Sequence, residues 1–173
     1  MEQILEILKY ILPSLIVVLV VYFLLKFYLF SEDKKRLIEL KMESRNLISP
    51  LRFQAYERLA LFLERINPNN LLLRVSNTNL NVSQYQMLLN SSIRSEFEHN
   101  LSQQIYISIE AWEKIKQAKE EVIKIINLSA AKVEANGNAN LLSAKIFETL
   151  SAYKKQPTDS TLEVLKKELH AFY

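Results

Sequence analysis

Residues 10–30 read YILPSLIVVLVVYFLLKFYLF, an apolar run with a single charged residue, Lys26. A helix of this length rises about 31 Å, which matches the roughly 30 Å hydrocarbon core of a bilayer. A cleaved signal peptide would have a basic start and small residues at its cleavage site, whereas Glu2 and Glu6 precede this run and bulky residues end it. We therefore expect residues 1–30 to form an N-terminal segment with a transmembrane helix.

Aromatic and basic residues near the end of the run are typical of a membrane interface. Lys26 lies about one turn from that end, so its ammonium group can reach the lipid headgroups. Tyr22 and Tyr28 lie close to it along the sequence and are the residue type that anchors helices at headgroup level. An intramembrane ion or lipid site at Lys26 is the alternative, but a position at the end of the span favours the interface.

Positive charge is concentrated on one side of the run. Lys34, Lys35 and Arg36 follow it, whereas Lys9 alone precedes it. Because cytoplasmic flanks carry the excess of lysine and arginine, we expect the N-terminus outside and residues 31–173 in the cytoplasm. The absence of cysteine agrees with a reducing compartment. The three basic residues after the run also favour contact with anionic headgroups.

The composition of the chain favours long helices. Its 173 residues include one glycine and four prolines, too few for a fold rich in tight turns. The net charge of +3 is too small for the basic surface of a nucleic-acid-binding protein. We expect an all-α protein in which a juxtamembrane stalk helix, residues 31–49, leads to one cytoplasmic domain, residues 50–173, built as a bundle of about five helices.

Two segments at the start of the soluble part carry apolar residues at helical spacing. In the stalk, Leu37, Leu40 and Leu47 form a stripe that either packs on its own domain or makes a short coiled coil. Residues 51–66, LRFQAYERLALFLERI, form the strongest helical pattern. Its apolar side is predicted to face the core, whereas Leu61 falls on the polar side and is predicted to contact another element or a partner.

Helix boundaries are predicted from capping signals. We expect Ser49 and Pro50 to start the helix over 51–66, and Asn67–Pro68 to end it. Further helices are expected at about 82–103, 109–136, 139–154 and 160–172, separated by a loop over 69–81 and an extended break over 105–109. Their predicted caps are Asn81 with Gln84, Ser108, a left-handed Gly137, and Ser160 with Glu163.

The chain lacks the residue patterns of common active sites. Glu96 and His99 form one Glu-x-x-His pair, but a di-iron bundle needs this pair on two helices together with two further glutamates. No glycine-rich phosphate loop, Gly-x-Ser-x-Gly motif or cysteine is present. We predict a protein that is not an enzyme and has no catalytic, cofactor-binding or metal-binding residues.

Three stretches are similar to an uncharacterised family of small single-span membrane proteins from Bacteroidota. They are the segment from Leu51 to Pro68, the sequence EHNLSQQ at 98–104, and EAW at 110–112. The resemblance covers most of the chain. It implies a location in the bacterial inner membrane, and it implies no activity, ligand or catalytic residue.

These observations predict a membrane-anchored scaffold, adaptor or accessory subunit of a membrane-associated assembly, because anchoring raises the local concentration available for weak contacts. The predicted partners are the lipid bilayer and either another protein or a second copy of this chain, without nucleic acid or metal. Partner contacts are expected at exposed or stripe-forming leucines, namely Leu61, Leu37, Leu40, Leu47, Leu165 and Leu169. The alternative is a helical module that binds a lipid or small apolar ligand at the inner membrane face.

Overall fold

The computed structural model describes residues 15–28, 49–76 and 78–171. Contacts divide the chain into two compact units, Met1–Ser49 and Pro50–Tyr173. Across the described residues every regular element is helical, and the one strand-like feature is an isolated antiparallel bridge between Asn81 and Asn138. The predicted all-α class is therefore confirmed for this part of the chain.

In the first unit, residues 15–28 are helical and their apolar side chains are exposed. Among the helices of the described ranges, none combines the length and the hydropathy that crossing a bilayer requires. The remaining positions of the predicted span, residues 10–14 and 29–30, lie outside the described residues. The predicted stalk lies outside them as well, apart from Ser49.

The part of the second unit that the structure describes forms five longer α-helices, one short α-helix and one 3-10 helix. In chain order they are α1 (49–66), α2 (Pro68–Arg74), α3 (Val82–His99), the 3-10 helix (Leu101–Ile105), α4 (Ile109–Ala130), α5 (Ala139–Ser151) and α6 (Pro157–His170). Helix α4 is central, since it packs against α3, α5 and α6. It buries residues on more than one side, as a helix in the middle of a bundle must.

One side of α1 contributes to the core of this bundle. Leu59, Phe62 and Ile66 are fully buried on it, in agreement with the predicted apolar face. The apolar spacing of residues 51–66 also predicts Phe53 on this face, but its side chain is 43% exposed, so that part of the prediction is wrong. Phe53 lies in the first turns of the described helix, two residues before the fully buried Ala55. The prediction that Leu61 points away from the core is confirmed, because its side chain is exposed.

Two predicted caps form as expected. The Asn81 side chain accepts a hydrogen bond from the Gln84 backbone at 2.8 Å, and the Gln84 side chain accepts one from the Asn81 backbone at 3.2 Å. Ser108 Oγ accepts a 3.0 Å bond from the Ala111 backbone at the start of α4. Both caps satisfy amide groups that a helix leaves without partners in its first turn.

Two other predicted caps are wrong. Ser49 is already helical, so it does not cap α1. Helix α6 begins at Pro157, three residues before the predicted Ser160, whose hydroxyl instead donates to the Pro157 carbonyl at 2.9 Å within the helix. Proline at the first helical position lacks the amide hydrogen that would be unsatisfied there, so Pro157 is a stronger start signal.

The connections also differ from prediction. Residues expected to form a loop after Pro68 form α2, which is capped by the Asn67 side chain. Helix α3 ends at His99, before the predicted residue 103, and the 3-10 helix Leu101–Ile105 follows it. A turn at Tyr106 lies where the extended break was expected. Helix α4 ends at Ala130, earlier than predicted, and Gly137 does not adopt the left-handed conformation.

Gly137 has a packing role in place of the predicted capping role. Its carbonyl accepts the Val82 amide at 2.9 Å, which joins the start of α3 to the approach to α5. A Cβ atom at this position would lie 2.9 Å from Leu141 Cδ1 and 3.0 Å from the Glu134 carbonyl oxygen. Glycine avoids a close contact with the Glu134 carbonyl at this position, whereas its backbone angles do not demand glycine.

Candidate functional site

Helix α1 presents a continuous exposed face that we call the α1 face. It consists of Glu57, Arg58, Leu61, Glu64 and Arg65, all of which are exposed. With 3.6 residues per turn, positions three and four apart stack along one side of a helix, so these five residues form a single stripe. Leu61 lies in the middle of this stripe and is 57% exposed, an unpartnered apolar side chain among four charges.

A half-open groove runs beside the α1 face, between α1 and the end of α3. Its volume is about 380 Å³. It is lined from α1 by Arg58, Leu61, Phe62 and Arg65, and from the end of α3 by Glu96, His99 and Asn100. The lining mixes two guanidinium groups, one carboxylate, one imidazole and one exposed leucine, so it offers complementary contacts to a surface that is both charged and apolar.

Glu96 organises the side of the groove formed by α3. Its Oε1 lies 2.9 Å from Arg65 Nη2 and 3.6 Å from Arg74 Nη1, so one carboxylate links α1, α2 and α3. The Asn100 side chain donates to the Glu96 carbonyl at 2.8 Å. Glu96 is therefore not part of a solvated helix face, because its side chain is only 18% exposed and is held by two arginines.

The His99 ring is held by a backbone carbonyl of its own helix. The His99 ring places Nδ1 2.6 Å from the Ser95 carbonyl oxygen, and a carbonyl can only accept, so Nδ1 carries the proton.

Neither Glu57 nor Arg58 forms an ion pair with any residue that the structure describes. Two adjacent opposite charges beside Leu61 are thus available for contacts outside the chain.

An aromatic stack supports the groove from below. The Phe62 and Phe97 ring centroids are 5.8 Å apart, and Phe97 stacks on Trp112 at 5.3 Å with 20° between the ring planes. Lys119 Nζ lies 4.3 Å from the Phe97 centroid, at the distance of a cation–π contact. These rings connect α1, α3 and α4, so the floor of the groove is part of the packed core.

The groove does not have the chemistry of a metal site. In the described ranges, no group of three histidine, cysteine, aspartate or glutamate residues is placed to hold a metal ion. The Glu96 carboxylate is committed to two arginines, and the His99 Nδ1 proton is committed to a carbonyl. The arrangement is suited to binding another surface by charge and apolar contact.

The other predicted contact residues fall in different places. Leu165 is 2% exposed in the core, so we remove it from the contact surface, and Leu169 is partly buried against the same core. Both leucines belong to the inner side of α6, where the apolar spacing that suggested a contact reflects packing. The stalk leucines Leu37, Leu40 and Leu47 lie outside the described residues.

Among the predicted membrane-interface residues, Tyr22, Lys26 and Tyr28 lie in the helical residues 15–28. Lys26 Nζ is 6.0 Å from the centroid of the Tyr22 ring, so the cation and the aromatic ring one turn earlier lie on the same side of that helix. The basic cluster Lys34, Lys35 and Arg36 lies outside the described residues.

The charged residues of the α1 face were placed on the polar side of the helix by the sequence but were not identified as a site. The signal that could have found them is their arrangement around Leu61, with Glu57–Arg58 one turn before it and Glu64–Arg65 one turn after it. The contribution of Glu96 depends on how α3 packs against α1, which local spacing does not contain.

Comparison with known proteins gives a family and no activity. No curated protein and no solved structure matches this chain. One family model, described as a family of unknown function, matches residues 2–172 and therefore nearly the whole sequence. The chain belongs to this family, DUF7935, whose function is unknown.

Proposed function

We propose that this protein is a membrane-anchored, non-enzymatic helical scaffold, adaptor or accessory subunit of an assembly at the bacterial inner membrane. The apolar run at residues 10–30 supports a single membrane span, and the cations at 34–36 support an N-terminus outside and the helical unit in the cytoplasm. The resemblance to single-span proteins from Bacteroidota supports the same location.

The observation that carries the proposal is the exposure of Leu61 at the centre of the α1 face. Leu59 and Leu63, its neighbours along the helix, are fully buried, whereas Leu61 is exposed between two pairs of opposite charges. An apolar residue ringed by charges has the composition of the centre and rim of a protein–protein contact. This pattern supports a contact surface in preference to a reaction site.

The stalk leucines extend this pattern along the sequence. Leu40, Leu47 and Leu61 lie on one seven-residue repeat, with Gln54 at the intervening position. A seven-residue repeat is the spacing by which one helix keeps a side facing a partner helix. We propose Leu37, Leu40 and Leu47 as a contact surface of the stalk, separate from the α1 face.

The alternative function, binding of a lipid or small apolar ligand, is less well supported. The groove beside the α1 face is lined by Arg58, Arg65, Glu96 and His99. Ligand sites for apolar molecules are lined mainly by hydrophobic and aromatic side chains. The charged lining suits a polar or mixed surface, so the groove favours the adaptor proposal.

Cross-linking of the full-length protein in native membranes tests the proposed contact. Leu61→Asp puts a charge at the centre of the α1 face and removes no buried side chain, so the fold is expected to remain intact. The matched control is Leu128→Asp, which changes an exposed leucine of α4 outside the groove lining. We expect the first variant to lose its cross-linked products and the second to keep them; unchanged products in Leu61→Asp would contradict the proposal.

Membrane extraction tests the anchor separately. We expect the full-length protein to remain with the membrane pellet after alkaline carbonate treatment, because a spanning helix resists conditions that remove peripheral proteins. Recovery in the supernatant would overturn the anchored part of the proposal and leave the contact surface to be judged by cross-linking.

A further inference from the structure

The charges of the α1 face are divided by sign across Leu61. At 100° per residue, Arg58 and Arg65 lie about 60° and 40° to one side of Leu61, and Glu57 and Glu64 lie about 40° and 60° to the other. One flank of the exposed stripe is therefore basic and the other acidic. Both flanks are exposed, so both are accessible to a neighbouring molecule.

This division makes the face complementary to itself in one orientation. When two α1 helices pack side by side and parallel, a two-fold axis runs along them and brings the basic flank of one copy against the acidic flank of the other. Arg58 then lies beside Glu57 of the second copy, and Leu61 meets Leu61 on the axis. Arg65, which also pairs with Glu96 in its own chain, lies beside Glu64 of the second copy. Each ion pair occurs twice by symmetry.

The antiparallel orientation places like charges together. Its two-fold axis is perpendicular to the helices, so each flank meets the same flank of the second copy. The basic flanks would face one another, and so would the acidic flanks, which is destabilising. The sign of the charges therefore selects the parallel pair.

We infer that the occupant of the α1 face is a second copy of this chain, paired in parallel through Leu61 and its flanking charges. The inference rests on the proposed function, for which it names the partner. Glu57 and Arg58 support it directly, because neither has an ion-pair partner among the described residues. Exposed ion pairs contribute little individually, but anchoring two copies in one membrane raises their effective concentration and makes weak pairing sufficient.

Site-specific cross-linking tests the geometry, and the chain is suited to it because it has no cysteine. We choose Leu61→Cys and Gln54→Cys, two exposed positions seven residues apart on the same side of α1. In the parallel pair, both positions lie against their own counterparts in the second copy. In an antiparallel pair centred on Leu61, the two copies of position 54 would be about 21 Å apart, beyond the reach of a short linker.

The experiment treats native membranes containing each full-length variant with a short bismaleimide. We expect a dimer band from Leu61→Cys and from Gln54→Cys, and none from the control Leu128→Cys on α4. A band from the first variant without one from the second would overturn the parallel pair. Equal bands from all three would mean random collision and would also overturn it.

Charge exchange tests the chemistry of the pair. Arg58→Glu makes both flanks acidic near Leu61, and Glu57→Arg makes both basic, while neither change removes an ion pair within the described residues. In the Gln54→Cys background, we expect each variant alone to lose about fivefold in dimer band, the scale of replacing two exposed attractive pairs by repulsive ones. Co-expression of the two variants, carrying different tags, is expected to restore the band between unlike tags.

The outcomes separate this inference from the proposed function. A Leu61-dependent cross-link to a different protein, without a band between two copies, would overturn self-pairing and leave the adaptor proposal intact. If no cross-linked product of the unchanged protein depends on Leu61, both the self-pairing inference and the adaptor proposal are overturned. Failure of the two charge variants to restore each other would overturn the charge pairing even if a dimer forms.

Discussion

The Tyr56 hydroxyl donates a 2.6 Å hydrogen bond to Glu168 Oε1, across 112 residues of sequence. The same carboxylate accepts the Ser108 backbone amide at 3.0 Å and the Ser108 hydroxyl at 2.9 Å. One side chain near the end of α6 therefore holds α1 and the first turn of α4. The carboxylate also lies at the start of α4, where the helix dipole favours negative charge.

Tyr56→Phe is expected to lower the free energy of unfolding by about 1.5 kcal/mol, because it removes a partly buried hydrogen bond to a charged group. Urea unfolding of the full-length protein in detergent, followed by circular dichroism, measures this change. The control is Tyr153→Phe, which removes a 3.1 Å bond to Glu121 at an exposed position. Equal losses in the two variants would contradict the role assigned to Tyr56.

Stability is expected to fall above pH 10. Burial, followed by the hydrogen bond to the Glu168 carboxylate, raises the pKa of Tyr56 above its ordinary value. The unfolded chain then releases the phenolic proton near pH 10 while the folded chain retains it, so rising pH favours the unfolded state until the folded pKa is reached. One tyrosine contributes a slope of up to about 1.4 kcal/mol per pH unit.

The measurement is urea unfolding at a series of pH values from 8 to about 11. Tyr56→Phe is expected to show a shallower decline than the unchanged protein. A decline remains in the variant, because burial also raises the pKa values of Tyr85 and Tyr153. Identical slopes in the two proteins would show that Tyr56 releases its proton equally in the folded and unfolded states.

Gly137→Ala is expected to destabilise the fold by about 1–3 kcal/mol, the range for adding a methyl group to a tightly packed position. The new Cβ would meet the Glu134 carbonyl oxygen at 3.0 Å and Leu141 Cδ1 at 2.9 Å. Asn136→Ala at the adjacent exposed position is the control in the same unfolding experiment. A stabilised Gly137→Ala would mean that both neighbours can move aside and that only the lost backbone freedom of glycine matters.

Glu96→Gln is expected to cost about 1 kcal/mol, because the carboxylate bridges Arg65 and Arg74 from a largely shielded position. Unfolding in low and high salt measures it. The control Glu120→Gln removes a 2.8 Å pair with Lys119 in which the glutamate is 65% exposed, so its effect should be close to zero at high salt. If Glu96→Gln no longer changes the free energy of unfolding at high salt, the ion pairs of Glu96 contribute no more than ordinary surface pairs.

Caps that depend on near neighbours in sequence were predictable. Asn81 with Gln84 and Ser108 use bonds within three residues, so the signal is local and the structure confirms both. The exposure of Leu61 was predictable for the same reason, since helical spacing alone places it opposite the buried Leu59 and Leu63.

Features that depend on distant packing were not predictable. Gly137 was interpreted as a left-handed cap, because the spacing of the sequence does not reveal that Val82 and Leu141 approach it. Leu165 was interpreted as a contact residue, because an apolar helix side looks the same whether it meets the core or a partner. Only the assembled bundle distinguishes the two.

The aromatic stack below the groove makes contact at the α1 face visible by optical means. Trp112 is the only tryptophan in the chain, and Phe97 separates it from Phe62, which lines the groove. A molecule bound in the groove covers the wall to which the buried Phe62 belongs, and that ring contacts the ring stacked on Trp112. The emission of one native indole therefore reports on events at the surface, with no label attached to the protein.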